Sequence, residues 1–81
     1  MEQKTIFEDT IAIIKDYSPD LTHEALTMDT VINTETAVDS MGFVLIISKL
    51  EGKYNIRIPD RQITKFITIG DVVKYIAKKV S

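Results

Sequence analysis

Eighty-one residues are enough for one small domain, and 44% hydrophobic with 27% charged residues is a globular composition, not a disordered one. No cysteine and a single histidine, His23, exclude disulfide stapling, thiolate or histidine-cluster metal sites and a cysteine nucleophile. The net charge of −2 conceals an asymmetry: residues 1–39 carry nine acids against Lys4 and Lys15, net −7, whereas residues 40–81 carry eight bases against three acids, net +5. A basic half can bind nucleic acid or a membrane surface, but inside one small fold the plainer expectation is that it faces the acidic half.

The first helix is expected over residues 5–17. Thr5 and Glu8 have capping-box spacing. Phe7, Ile11 and Ile14 form a stripe that Ile6, Ile13 and Tyr17 widen. Pro19 ends the element by disfavouring helix at Ser18. Residues 18–38 then read as a long ordered loop, with a helical turn near residues 22–26 and with Leu21, Leu26, Val31 and Ile32 as anchors on the core.

The second helix is expected over residues 40–53, with Asp39 as its N-cap and Val44, Ile47, Leu50 and Tyr54 as its stripe. Phe43, Leu45 and Ile46 carry apolar surface well beyond that stripe, and Gly52 marks a frayed last turn. Residues 59–66 suggest one or two helical turns capped by Asp60, with Ile63 and Phe66 inward. The last helix is expected over residues 69–79. Thr68 and Asp71 form a capping box, Ile69, Val72, Val73, Ile76 and Val80 form the buried face, and Lys78 and Lys79 complement the dipole in the last turn. The fold class is therefore all-α: a four-helix bundle with three main helices, one short helix and a long loop after the first, spanning residues 1–81 as one domain.

The chemistry open to this chain is narrow. His23 is the sole candidate base for a triad, no G-x-S-x-G elbow exists, and the three glycines form no phosphate-binding loop. The expectation is no catalytic residue, no metal and no enzyme. No apolar run approaches the roughly 20 residues of a membrane span, and the N-terminal Met-Glu-Gln-Lys lacks the regions of a signal peptide. What remains is the junction Val38-Asp39-Ser40-Met41-Gly42, where a serine opens an apolar helix at the end of a long loop. Free N–H groups and the positive dipole end favour a phosphate there. A plain N-cap is the commoner meaning of such a pair.

The junction is not isolated. Asp39-Ser40-Met41, Leu50-Glu51, Tyr54, Ile56, Ile58-Pro59-Asp60, Phe66 and Thr68-Ile69-Gly70-Asp71-Val72-Val73-Lys74-Tyr75-Ile76 follow one another with the spacings of the acyl carrier protein family, which residues 39–76 resemble. The resemblance implies that Ser40 is the attachment site of 4′-phosphopantetheine, delivered from coenzyme A by a phosphopantetheinyl transferase. The arm's thiol would then carry acyl groups as thioesters, loaded by an acyl-activating ligase or acyltransferase and used by ketosynthase-type enzymes of fatty acid or related polyketide and lipid biosynthesis. Asp39 would help the transferase and cap the helix, and Met41 would flank the arm. Val44, Ile47, Leu50, Ile58, Ile63, Ile69 and Val73 become candidates for an acyl pocket, although core packing explains the same stripe. The expected setting is a cytoplasmic, free-standing monomer that neither binds nucleic acid nor inserts in a membrane.

The departures from the family pattern are specific. Thr36 and Ala37 stand where Leu-Gly is common. Gly42, Leu45 and Ser48 occupy places that are often acidic or polar, and the charges Asp39, Lys49, Glu51 and Lys53 cancel. Docking on partners is therefore expected through apolar contacts of Phe43, Leu45 or Ile46. An aminoacyl or peptidyl carrier, an unmodified helical interaction module, and a nucleic-acid binder using Arg57, Arg61, Lys65, Lys74, Lys78 and Lys79 are the competing readings. The acidic first half opposes the last of these.

Overall fold

The computed structural model describes residues 2–19, 26–32 and 38–80. Among these residues there are four helices and no strand: α1 (Gln3–Tyr17), α2 (Ser40–Tyr54), α3 (Asp60–Ile63) and α4 (Ile69–Val80). The all-α expectation, with three main helices and one short one, is met. The turn expected near residues 22–26 falls largely outside the described residues, as do Leu21, His23, Thr36 and Ala37.

Helix α1 begins two residues earlier than expected and without the capping box. Glu2 occupies the N-cap position with no side-chain hydrogen bond, and Thr5 lies exposed inside the helix. Gln3 and Lys4 are good helix formers, so the helix extends past the polar pair. Its buried line is Ile6, Thr10 and Ile14, with Phe7, Ile11 and Ile13 partly buried beside it. Thr10 is tolerated in the core because its hydroxyl donates to the Ile6 carbonyl at 2.8 Å, leaving no buried donor unpaired.

Helices α1 and α2 run antiparallel. Tyr54, near the end of α2, donates its hydroxyl to Asp9, while Lys49 reaches Asp16 at 3.7 Å and Tyr17 lies against Gly42. Burial, then the hydrogen bond to Asp9, pushes the Tyr54 phenol well above its ordinary pKa. Helix α1 also packs along α4. Helix α2 does not fray at Gly52. It runs on to Tyr54 and stops at Asn55, which adopts the left-handed conformation (φ 55°, ψ 48°) that ends helices. The short helix α3 starts after Pro59, which takes the cap position expected for Asp60. Ile63 is partly buried and Phe66 buried, both as expected.

The core is aliphatic, centred on Ile6, Ile14, Ile46, Ile47, Leu50, Ile69, Val72, Val73 and Ile76. Phe66 joins it edge-on to both Phe43 and Tyr75, at ring-centroid distances of 6.4 and 5.6 Å. The long connection is tied down by backbone bonds. Ile32 N–H donates to Ile67 O at 3.0 Å, Ile69 N–H to Thr30 O at 3.0 Å, and Gly70 N–H to Met28 O at 2.7 Å, around a single antiparallel bridge between Val31 and Thr68. Ile32 is buried and Leu26 partly so, as anchors should be.

Helix α4 opens with the box read from the sequence. Asp71 N–H donates to Thr68 Oγ1 at 3.1 Å, and Asp71 Oδ2 accepts from the N–H groups of Thr68 (3.1 Å) and Ile67 (3.0 Å). Those backbone donors, Thr68 first, hold the Asp71 carboxyl below the usual range.

Candidate functional site

The start of α2 is built by three consecutive residues with different tasks. Val38 is buried and anchors the incoming chain. Asp39 is extended (φ −85°, ψ −177°), and its Oδ1 accepts the Gly42 N–H at 2.7 Å while its carbonyl accepts the Phe43 N–H at 2.8 Å. Asp39 is thus a true N-cap, satisfying one of the orphan donors of the first turn. Ser40 follows as the first helical residue and is exposed. The cap therefore falls to Asp39, which leaves the Ser40 hydroxyl without a structural duty there.

Ser40 opens onto a cleft of about 310 Å³ between α2 and α3, whose walls are Phe43, Val44, Ile63, Thr64 and Phe66. A second cleft of about 370 Å³ continues from it, sharing Val44 and Ile63 and adding Ile47 and Ile58. Its rim is polar, with Ser48, Glu51, Arg57 and Asp60. Glu51 Oε2 accepts the Ile58 N–H at 2.7 Å, which fixes the chain leaving α2.

Four of the seven acyl-pocket candidates, Val44, Ile47, Ile58 and Ile63, line these clefts. Leu50, Ile69 and Val73 do not: each is fully buried and spent on core packing. The docking expectation also needs correction. Phe43 and Ile46 are 8% and 2% exposed and belong to the core, so they offer no surface to a partner. Leu45 is 46% exposed, and Met41 (84%) and Val44 (51%) stand beside it. The reason is rotational. An apolar run that covers most of a helix does not state which side faces inward, and the buried seam is Phe43–Ile46–Ile47–Leu50 rather than one starting at Val44.

Tyr17, expected on the core-facing stripe of α1, is instead exposed at its edge, with its ring and hydroxyl covering Gly42 in the first turn of α2. Reasoning from residues missed the polar rim of the second cleft. The pairing of Glu51 with Ile58 had a signal in the Leu50-Glu51 and Ile58-Pro59-Asp60 pieces, but nothing local said that the two meet.

Residues 19–76 match the family model described as a phosphopantetheine attachment site. An acyl carrier protein of Helicobacter pylori is 38% identical over 71 residues, covering 88% of this chain and 90% of the relative. One from Campylobacter curvus is 40% identical over 55 residues, covering 68% and 71%. A solved structure of a candidate acyl carrier protein from Mycobacterium tuberculosis superposes with a TM-score of 0.82 at 26% identity, covering 91% of this chain and 97% of its own. A phosphopantetheine attachment domain implies a transferase that installs the group and biosynthetic enzymes that use it. Among the described residues no helix is long and apolar enough to cross a membrane. The family match spans the serine junction, both clefts and most of α4, the Helicobacter relative aligns along 90% of its length, and the helical order agrees; this chain belongs to the acyl carrier protein family, as a carrier of phosphopantetheine and not a catalyst.

Proposed function

We propose that Ser40 bears the 4′-phosphopantetheine group and that the chain presents acyl groups to enzymes of fatty acid or related polyketide and lipid biosynthesis. The observation that carries this reading is the division of labour at the α2 start. Asp39 caps the helix, and the exposed Ser40 hydroxyl is left at the mouth of an apolar cleft. The group fits these residues. A phosphodiester on Ser40 Oγ would sit in the favourable field of the α2 N-terminus, with open solvent on one side and the cleft on the other. When bound, the group supplies a thiol that holds acyl chains as thioesters.

This chain's own residues address and shelter. Asp39 holds the first turn in register for the transferase. Val44, Ile47, Ile58 and Ile63 offer apolar cover to a carried chain. Met41, Val44 and Leu45 form the exposed apolar face of α2 on which the transferase, an acyl-activating ligase or acyltransferase and ketosynthase-type enzymes would dock. On this reading residues 1–81 form one carrier domain, a monomer working in the cytoplasm.

Intact-protein mass spectrometry after incubation with a broad-specificity transferase and coenzyme A tests the reading. One phosphopantetheinyl increment on the wild type and none on Ser40→Ala is the expected result. An increment on both would move the site elsewhere, and none on either, with the helical circular dichroism intact, would sink the assignment.

A further inference from the structure

Helix α2 contains one carboxylate, Glu51, and Asp39 caps its start. Both are turned onto their own backbone. Asp39 Oδ1 accepts the Gly42 N–H, and Glu51 Oε2 accepts the Ile58 N–H at 2.7 Å beyond the end of the helix. The Glu51 main chain adds to this hold. Its carbonyl accepts the N–H of Asn55, the left-handed residue that ends α2, and that of Ile56 at 3.1 Å. One half-buried residue thus takes up the backbone donors of Asn55, Ile56 and Ile58 in the linker that leads to α3.

That linker positions a wall of the second cleft. Ile58 is buried and lines the cleft with Val44, Ile47 and Ile63. Pro59 follows as the N-cap of α3, and its carbonyl accepts the N–H groups of Gln62 (2.9 Å) and Ile63 (3.1 Å). Helix α3 itself has no fully buried side chain: Asp60 and Arg61 are exposed, and Gln62 and Ile63 are half-buried. A four-residue helix without a buried face has little packing of its own to fix it, so its place depends on its two ends. Phe66 anchors one end, buried and edge-on to the Phe43 and Tyr75 rings. Ile58 anchors the other, with its N–H held by the Glu51 carboxylate.

We propose that Glu51 is a positioning residue for the cleft that shelters the carried acyl chain, acting inward through Ile58 rather than outward as an acidic contact for partner enzymes. The proposal rests on the carrier reading above. A carboxylate acceptor makes a stronger hydrogen bond than a neutral one, and its removal leaves the N–H of a buried residue without a partner. With Ile58 released, the wall that Ile58 and Ile63 give the cleft loses its fixed place, and the acyl chain is more often in water. A docking carboxylate would act differently: its charge would set encounter rate and partner choice.

Three variants separate the acceptor from the charge. Glu51→Gln keeps an acceptor at the same reach and removes the charge. Glu51→Asp keeps the charge and withdraws the oxygen from Ile58. Glu51→Met removes both and keeps a good helix former. In the unmodified full chain, amide hydrogen exchange at Ile58 should match wild type in Glu51→Gln and rise about tenfold in Glu51→Asp and Glu51→Met. A broad-specificity transferase then loads Ser40 from octanoyl- or acetyl-coenzyme A, with intact mass as the check. Hydroxylamine cleaves the thioester: its nitrogen bonds to the acyl carbon, the carbon–sulfur bond breaks, and the sulfur takes the proton. Octanoyl cleavage should be at least about twofold faster in Glu51→Asp and Glu51→Met than in wild type and Glu51→Gln. Acetyl cleavage should be the same in all four chains, because so short a chain does not depend on the cleft. Loading kcat/KM should stay within about twofold throughout.

Loading that falls with Glu51→Gln and Glu51→Met but not with Glu51→Asp would make the charge a docking group and overturn the proposal. So would Ile58 exchange that is unchanged in Glu51→Asp and Glu51→Met, or octanoyl cleavage that is the same in all four chains. Circular dichroism guards against unfolding, and Glu51→Asp, the milder change, decides should Glu51→Met lose its helical signal. No mass increment on wild-type Ser40 would remove the carrier reading and the cargo role with it, leaving Glu51 as a clamp on the linker alone. An increment with the same cleavage in every variant would keep the carrier and remove the role of Glu51.

Discussion

Tyr17 occupies the space that a side chain at Gly42 would fill. A β-carbon built on Gly42 would stand 2.5 Å from the Tyr17 hydroxyl oxygen and 2.6 Å from Cζ. Glycine inside a helix costs about 1 kcal/mol relative to alanine, and the contact explains why α2 bears that cost in its first turn. It also explains a departure from the family pattern, since a longer residue at position 42 and Tyr17 in its present place exclude one another. Gly42→Ala in the wild type should gain nothing or lose up to about 1 kcal/mol, because the propensity gain is offset by a displaced ring. In a Tyr17→Ala background the same change should stabilise by about 0.5–1 kcal/mol. Urea unfolding of the four proteins gives the coupling directly, and strict additivity would mean that the two residues do not interact.

Gly70 answers to a harder constraint. A β-carbon there would meet the Met28 carbonyl oxygen at 2.7 Å, the same oxygen that accepts the Gly70 N–H. A tyrosine ring can swing away, but a carbonyl held by its own backbone cannot. Gly70→Ala should therefore cost about 1–3 kcal/mol. It should also loosen residues 26–32 from α4, seen as faster hydrogen exchange at Ile32, Ile69 and Gly70. Gly52, with nothing near its would-be β-carbon, is the control, and Gly52→Ala should stabilise by up to about 1 kcal/mol.

These glycines show where sequence reading stops. The N-terminal ends of α2 and α4 were legible because local chemistry sets them: Asp39 and the Thr68–Asp71 box cap their own helices. The start of α1 was misread because Thr5 and Glu8 have box spacing but sit inside a helix that neighbouring residues extend. The inward side of α2 was misread because Val44, Leu45 and Ile46 are equally apolar, and only packing against the rest of the core decides which is exposed. Thr10 in the core, Glu51 holding Ile58 and Tyr17 over Gly42 each join residues distant in sequence or break an apolar rule, so no local pattern announces them. The reading of Ser40 as an attachment site rests on the ordered set of family pieces, since a plain cap is the commoner meaning of its own surroundings.

Asp71 makes the stability of α4 depend on pH. Its carboxyl is held below the ordinary value by the Thr68 N–H, then by that of Ile67, so the folded chain binds this proton less readily than the unfolded one. Its contribution is complete above the unfolded value, about 3.9, and is lost as pH falls through the lower folded value. Asp71→Asn keeps an acceptor but not the charge. It should cost about 0.5–1 kcal/mol at pH about 7, and the gap to wild type should narrow below pH about 4. Urea midpoints across that range decide the matter, and a gap that stays constant into acid would remove the charge from the explanation.

The surface of α2 separates docking from folding at adjacent positions. Phe43 and Ile46 are buried, so Phe43→Ala should unfold more readily by about 3–5 kcal/mol whatever partner is present. Leu45 is half exposed, and its truncation should leave the thermal midpoint almost unchanged. If α2 docks through apolar contact, Leu45→Ala removes part of a leucine side chain from the interface, worth about 1–2 kcal/mol or roughly five- to thirtyfold in transferase kcat/KM. High salt is the discriminating condition, because it screens the surface lysines on and just before α4 but leaves apolar contact intact. The Leu45→Ala deficit should persist there undiminished. A deficit that vanishes with salt, or a variant modified as fast as wild type at every ionic strength, would transfer the docking role from α2 to the charged groups elsewhere on the surface.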